Sequence, residues 1–135
     1  MRRLDEQTWV AGQIMPEEVA GLARQGVTAI VNNRPDGEEM GQPASAEIAD
    51  AAAAAGVAYV HLPVAGGFAA DQVETLAELL DTPGRVLAFC KSGTRSALLW
   101  ALARARLGDD PEELAAKAEA AGYDLGPIAR YLQGH

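Results

Sequence analysis

The chain has 135 residues, 49% of them hydrophobic and 22% charged, which is typical of one globular domain and too apolar for a disordered chain. Its 19 acidic and 11 basic residues give a net charge of −8, which disfavours binding to nucleic acid or to an anionic membrane surface. A single cysteine excludes an internal disulfide, and no Cys/His spacing supplies a zinc site. We therefore expect one domain over residues 1–135, with no metal or other cofactor.

The sequence shows no feature of export or membrane insertion. Asp5 and Glu6 follow the first two arginines before any apolar run, so we expect no signal peptide. No apolar stretch approaches transmembrane length. With one unpaired cysteine, these features predict a cytoplasmic protein.

Helix signals alternate with short β-branched runs along the whole chain, which predicts an α/β fold. The predicted strands are Thr8–Ala11, Val27–Val31, Ala58–Leu62 and Val86–Phe89. The predicted helices run from Pro16 up to Gly26, from Ser45 to Ala55, from Asp71 to Leu80, from near Arg95 to Leu107, from Pro111 to near Ala121 and from Pro127 to Leu132.

Polar residues at the helix starts predict N-caps. Ser45 and Asp71 stand at the heads of two helices, with Glu74 completing a capping box after Asp71. Asp110 precedes Pro111, a favoured first helical residue. These three residues define the expected starts of their three helices.

The segment Cys90-Lys91-Ser92-Gly93-Thr94-Arg95-Ser96 carries the expected chemistry, because it joins a buried strand to a helix start. Backbone N–H groups in such a loop can converge on an anion, and Gly93 permits a positive φ there. The helix N-terminus, Arg95 and Lys91 add positive potential, which favours a thiolate at Cys90. An inert core cysteine is the alternative, but it would not require the following Ser-Gly-Thr-Arg run.

Other polar residues have ambiguous roles on sequence alone. Arg34 follows a predicted strand and is expected either to bind an anionic substrate or to stabilise a turn with Asp36. His61, within a strand, is expected to be structural. Trp9 and Trp100 are expected to lie in the core. Four glutamates are expected to be solvated surface residues: Glu38, Glu39, Glu112 and Glu113.

Four segments resemble one bacterial family. VAGQIMPEEV (10–19), GVTAIVNNRPDGEE (26–39), AYVHLPVAGG (58–67) and CKSGTRS (90–96) are similar to the phosphatase-like, rhodanese-like domain of β-lactamase-hydrolase-like proteins. That domain of unknown function occurs alone or fused to persulfide dioxygenases of the metallo-β-lactamase fold, which implies a functional link to such an enzyme. The chain departs from the family at Asn33, where leucine is usual, and at Lys91, where arginine is usual.

The resemblance implies a fold similar to dual-specificity tyrosine phosphatases, a single α/β domain with a mostly parallel central sheet flanked by helices. It implies Cys90 and Arg95 as catalytic residues. The remaining anion-binding candidates are Lys91, Ser92, Gly93, Thr94, Ser96 and Arg34. The expected substrate is a small anion: thiosulfate, a persulfide or a phosphate ester.

The loop spacing favours sulfur transfer. Four residues separate Cys90 from Arg95, as in rhodanese sulfurtransferases, whereas phosphatases of this fold have five. A shorter loop is narrower and has one N–H fewer, which suits the terminal sulfur of a persulfide better than three phosphoryl oxygens. A phosphatase also needs a general acid, and the segment from Val64 to Phe68, where its aspartate would fall, has none.

These observations rank a rhodanese-type sulfurtransferase, carrying sulfane sulfur as a Cys90 persulfide, above the alternatives. The first alternative is a cysteine-dependent phosphatase that acts through a phosphocysteine. The second is an anion-binding domain without turnover.

Overall fold

A five-stranded sheet forms the centre of the computed structural model, which describes residues 1–132. The end of the predicted domain, 133–135, lies outside the described residues. The strands are β1 (Arg2–Arg3), β2 (Thr8–Ala11), β3 (Ala29–Asn32), β4 (Ala58–His61) and β5 (Val86–Phe89). Their order across the sheet is β1-β2-β5-β3-β4. Within the described chain, β1 alone runs antiparallel to its neighbour, so the sheet is mostly parallel, as predicted.

Helices cover both faces of the sheet. They are α1 (Val19–Arg24), α2 (Ser45–Ala55), α3 (Ala70–Leu80), α4 (Thr94–Arg106), α5 (Pro111–Ala120) and α6 (Ala129–Leu132), with 3₁₀ turns at Pro16–Glu18 and Gly126–Ile128. α1 and α2 pack on one face, and α3 to α6 pack on the other. No helix in the described part of the chain is long and apolar enough to cross a bilayer.

β5 lies between β2 and β3 and is fully buried, because its residues Val86–Phe89 are apolar on both faces. α4, which follows it, is also buried nearly all round, and Trp100 has no exposed surface. The strand and helix that flank the cysteine loop are therefore the most deeply packed elements of the fold.

Two predicted N-caps are wrong. Ser45 is the first residue of α2, and its N–H donates to the Asp36 carboxylate, 2.7 Å away, so a side chain nine residues upstream caps that helix. Asp71 lies inside the first turn of α3, and Gln72 Oε1 accepts from the N–H of Ala69 instead. Asp110 caps α5 as predicted, with its carboxylate accepting from Glu113 N–H at 3.3 Å.

Three other differences concern the strands. β1 is a two-residue strand that the sequence pattern does not predict, and β3 starts at Ala29, two residues later than expected. Trp9 is only half-buried rather than core, because its ring lies under the guanidinium of Arg85, 4.5 Å from ring centroid to Cζ.

Candidate active site

The four parallel strands end at the same level, so their carboxyl ends lie along one edge of the sheet. The register aligns their last residues, Ala11, Phe89, Asn32 and His61. The residues that follow β5 and β3 therefore emerge side by side, and a hydrogen bond of 2.8 Å from Asn33 N–H to the Phe89 carbonyl holds them there. Open α/β sheets bind ligands at this edge.

Cys90 directly follows the central strand, β5, and begins the candidate loop. Its side chain is fully buried, and its Sγ accepts a hydrogen bond of 3.0 Å from Gly93 N–H. Gly93 has φ of 90° and is the N-cap of α4, so the chain turns back over the sulfur and enters the helix at once. A backbone donor and the N-terminus of α4 thus both lie against the Cys90 sulfur.

Arg95 lies in the first turn of α4, as predicted, and its guanidinium is held at the mouth of the loop. Nη1 and Nη2 donate to the two carboxylate oxygens of Glu38 at 2.7 and 2.9 Å, and Nη1 also donates to the Val64 carbonyl at 2.9 Å. The hydrogen bonds to Glu38 raise the pKa of Arg95, and negative charge on Cys90 acts in the same direction. Arg95 is therefore a permanent cation beside the thiol.

Three other loop residues face outward. Lys91 is exposed, and its Nζ lies 3.5 Å from Glu39 Oε2. Ser92 Oγ donates to the hydroxyl of Thr94 at 3.2 Å across the start of the helix. Their side chains thus contact one another or Glu39, and all three are exposed beside the loop.

Ser96 is part of a buried polar chain. Its hydroxyl donates to Asn33 Oδ1 at 2.8 Å, and Asn33 Nδ2 donates to the Leu62 carbonyl at 2.9 Å. Ser96 and Asn33 have no exposed surface. The Ser96 side chain therefore ties the start of α4 to the ends of β3 and β4, and its backbone N–H remains the candidate for anion binding.

Arg34 is buried, with 2% of its surface exposed. Its guanidinium does not pair with Asp36 in a turn; Nε and Nη2 donate to Glu38 and Glu39, each at 2.9 Å, and Nη1 donates to Gln13 at 3.0 Å. Glu38 and Glu39 are exposed, as predicted, but they also form ion pairs that the sequence does not predict. They bridge Arg34 to Arg95 and Lys91.

The arginines strongly favour the ionised form of both glutamates. Hydrogen bonds from Arg95 and Arg34 lower the pKa of Glu38 from 4.5 to about 2. The hydrogen bond from Arg34, followed by the charge of Lys91, lowers the pKa of Glu39. At neutral pH neither carboxyl group holds a proton, so Glu38 is not suited to act as a general acid despite its contact with Arg95.

The loop after β4 supplies no acid either. Within it, Val64 contributes its backbone carbonyl to Arg95, and Phe68 packs against the core. Asp71 is exposed on α3. His61 is structural, as expected, since its Nε2 lies 2.8 Å from the Arg34 carbonyl.

Tyr123 is a residue near the site that sequence analysis missed. A Cβ added to Gly93 would clash with the Tyr123 hydroxyl, so this phenol lies directly against the cysteine loop. Burial raises the pKa of Tyr123, and the charge of Cys90 adds to the effect. Tyr123 lies 30 positions beyond Gly93, in the connection between α5 and the 3₁₀ turn Gly126–Ile128. No local sequence pattern predicts its contact with Gly93.

The described residues contain no group of three or more His, Cys, Asp or Glu side chains placed to hold a metal ion. The groups that the site offers to a substrate are the thiol, the two arginines, the loop amides, and the side chains of Lys91 and Tyr123.

Comparison with known proteins gives the family. Residues 1–107 match the model for the phosphatase-like domain of beta-lactamase hydrolase-like proteins. The chain belongs to that family. It is 36% identical over 137 residues to the Beta-lactamase hydrolase-like protein of Agrobacterium fabrum (strain C58), covering 97% of this chain and 31% of that relative's length. The domain thus corresponds to under a third of that relative.

Solved structures support the same assignment. A crystal structure of a candidate phosphatase from Neisseria meningitidis Z2491 is 35% identical, with a TM-score of 0.80 over 97% of this chain and 94% of that one. Human DUSP28 is 20% identical, with a TM-score of 0.70 over 98% and 93% of the two chains. The latter match shows the fold alone, and the fold is that of the tyrosine and dual-specificity phosphatases, as the resemblance implied.

Proposed function

We propose that this domain hydrolyses phosphate monoesters through a phosphocysteine at Cys90. Arg95 and the backbone amides of the loop from Lys91 to Ser96 would bind the phosphoryl oxygens. The single observation that carries the proposal is the hydrogen bond from Gly93 N–H to Cys90 Sγ, with Arg95 in the first turn of the following helix, in a phosphatase-like domain. This reverses the ranking made from loop spacing, because family and fold favour the phosphatase and sulfur transfer has no comparable support.

The reaction would proceed in two displacements. The Cys90 thiolate attacks phosphorus, so an S–P bond forms while the P–O bond to the leaving group breaks and its electron pair departs with that oxygen. Water then attacks phosphorus, the S–P bond breaks, and inorganic phosphate and the thiolate are released. Arg95 and the loop amides stabilise the charge on the equatorial oxygens in both steps.

The missing acid defines the preferred substrates. Protonation of a leaving oxygen by a general acid typically contributes about 10²- to 10⁴-fold. Glu38 is ionised, and the segment from Val64 to Phe68 has no acidic side chain. The domain should therefore prefer esters whose leaving group is itself a weak base, such as aryl or acyl phosphates, over alkyl phosphates.

Rhodanese-type sulfur transfer is the second candidate, and one specific observation favours it. Four residues separate Cys90 from Arg95, which is the spacing of rhodanese sulfurtransferases, and the Gly93 N–H would stabilise a persulfide on Cys90 as well as a thiolate. This reaction needs no general acid, because its sulfur nucleophiles and leaving groups are already anions.

One experiment separates the two reactions. The purified protein is incubated with p-nitrophenyl phosphate and, separately, with thiosulfate; product release and intact mass are recorded beside Cys90→Ser. A phosphatase releases p-nitrophenol in a Cys90-dependent manner and gains a phosphoryl group in rapid-quench samples. A gain of one sulfur atom on Cys90 without ester turnover would overturn the proposal in favour of sulfur transfer.

A further inference from the structure

The guanidinium of Arg34 is a second fixed cation at the site. It is buried at the end of β3, its backbone N–H donates to Asn32 Oδ1 at 2.9 Å, and each of its three side-chain nitrogens donates a hydrogen bond. A buried guanidinium requires anionic or hydrogen-bonding partners, because desolvation of an unpaired charge costs several kcal/mol or more. Two of those partners are the carboxylates of Glu38 and Glu39.

Both arginines converge on one carboxylate. Glu38 Oε1 accepts from Arg34 Nε and from Arg95 Nη2, each at 2.9 Å, while Oε2 accepts from Arg95 Nη1 at 2.7 Å. Paired guanidiniums around planar or tetrahedral oxygens are the usual geometry of carboxylate and phosphate recognition. The Glu38 carboxylate thus lies where an oxyanion held by both arginines would lie.

The carboxylates come from an exposed segment, whereas the arginines do not. Residues 36–41 are all exposed, Met40 completely, and the segment contains two glycines of positive φ, Gly37 at 74° and Gly41 at 84°. Arg34 is fixed by burial, and Arg95 is fixed by α4 and the Val64 carbonyl. Movement of the segment would take Glu38 and Glu39 away from the two guanidiniums and leave Arg34 its hydrogen bond to Gln13, so that a substrate anion would have to replace the lost negative charge.

We propose that Arg34 and Arg95 form a two-arginine clamp for the anionic oxygens of the substrate, and that the Glu38 carboxylate occupies this clamp until a substrate anion displaces it. The inference deepens the proposed function, on which it rests. Because a phosphate dianion brings more charge and more oxygens than one carboxylate, Glu38 would make the site selective for dianionic groups over monoanions.

The test is isothermal titration calorimetry with inorganic phosphate, which requires no turnover. Glu38→Gln removes the competing charge and should bind phosphate about tenfold more tightly, a change of about 1.4 kcal/mol. Glu112→Gln, on the exposed face of α5, changes the net charge equally and should alter affinity less than twofold. Unchanged or weakened binding in Glu38→Gln would overturn the proposal and make Glu38 a support for Arg95.

A second variant tests the clamp itself. Arg34→Lys in the Glu38→Gln background keeps the charge but loses the guanidinium fork, and it should weaken phosphate binding about tenfold relative to Glu38→Gln alone. Equal binding would exclude Arg34 from the site. Circular dichroism checks that the double variant folds. The titration of the single variant Glu38→Gln tests the proposal independently of the double variant. If these affinities change as expected but phosphate esters are not hydrolysed, the two-arginine clamp is supported and the proposed hydrolysis is contradicted.

Discussion

The hydroxyl of Ser96 donates to Oδ1 of Asn33 across 2.8 Å, and both side chains are fully buried. The two residues are 63 positions apart, yet they join the first turn of the helix after the cysteine loop to the end of the neighbouring strand. Asn33 Nδ2 in turn donates a hydrogen bond to the Leu62 carbonyl, just after β4. A polar pair within the core thus fixes the height of α4 relative to the sheet edge.

We expect Asn33→Leu to destabilise the domain by about 1–3 kcal/mol, because it leaves the Ser96 hydroxyl and the Leu62 carbonyl without their partner in the core. Ser96→Ala should reduce the free energy of unfolding by a similar amount, because it leaves Asn33 Oδ1 without its hydrogen-bond donor. The double variant should cost less than the sum by at least about 0.5 kcal/mol, as measured in urea denaturation. Strict additivity would show that the two side chains are not energetically coupled.

Gly93→Ala should impair both stability and activity. A residue with a side chain is destabilised by about 1–2 kcal/mol in the left-handed region, and at position 93 its Cβ would also meet the Tyr123 hydroxyl. Gly56→Ala is the matched control, since Gly56 has φ of 73° with open space around it. Thermal unfolding should show a larger loss at 93 than at 56, and Tyr123→Phe should restore part of the difference. Equal losses would mean that the contact carries no cost.

Arg95→Lys should reduce kcat/KM for p-nitrophenyl phosphate about 10²- to 10³-fold, because an ammonium group cannot donate in parallel to two oxygens of the transferred group. Arg106→Lys, further along the same helix and half-exposed, serves as the control and should retain activity. Steady-state kinetics measure both variants. Activity within twofold of the parent for Arg95→Lys would remove Arg95 from the catalytic machinery.

Acid should weaken the domain through Glu38. Its pKa is lowered from 4.5 to about 2 in the folded chain, so its contribution to stability is complete above pH 4.5 and is lost as the pH falls toward 2. Glu38→Gln should therefore show a shallower loss of thermal stability over that range than the parent. Glu112→Gln should follow the parent, and identical profiles for all three proteins would contradict the assignment.

The sequence predicts the central elements well because their signals are local. Val86–Phe89 and Ser45–Ala55 have the predicted bounds, since a fully apolar run and an alanine-rich segment ending at Gly56 need no tertiary information. The two-residue strand Arg2–Arg3 escapes prediction because it forms only by pairing with Trp9 and Val10. Local pattern is thus sufficient for the core and insufficient at the edges.

The candidate site divides in the same way. Cys90, Gly93 and Arg95 fall within one short motif, and the sequence places them correctly at the join of strand and helix. The sequence pattern assigns Glu38 to solvent, because its partner Arg95 lies 57 positions away and acquires that proximity only through the parallel pairing of β3 with β5. The electrostatics of the site depend on pairings that no local pattern contains.

The strand order has a consequence for the nascent chain. β5 is the last strand of the described chain to be synthesised, yet it fills the gap between β2 and β3. Until Val86–Phe89 emerges from the ribosome, the inner edges of β2 and β3 lack their partner, and unpaired edges are prone to association with other chains. The segment that closes this gap also delivers Cys90. A nascent chain therefore acquires its single cysteine in the same event that completes its sheet, and a chain truncated before Val86 lacks both.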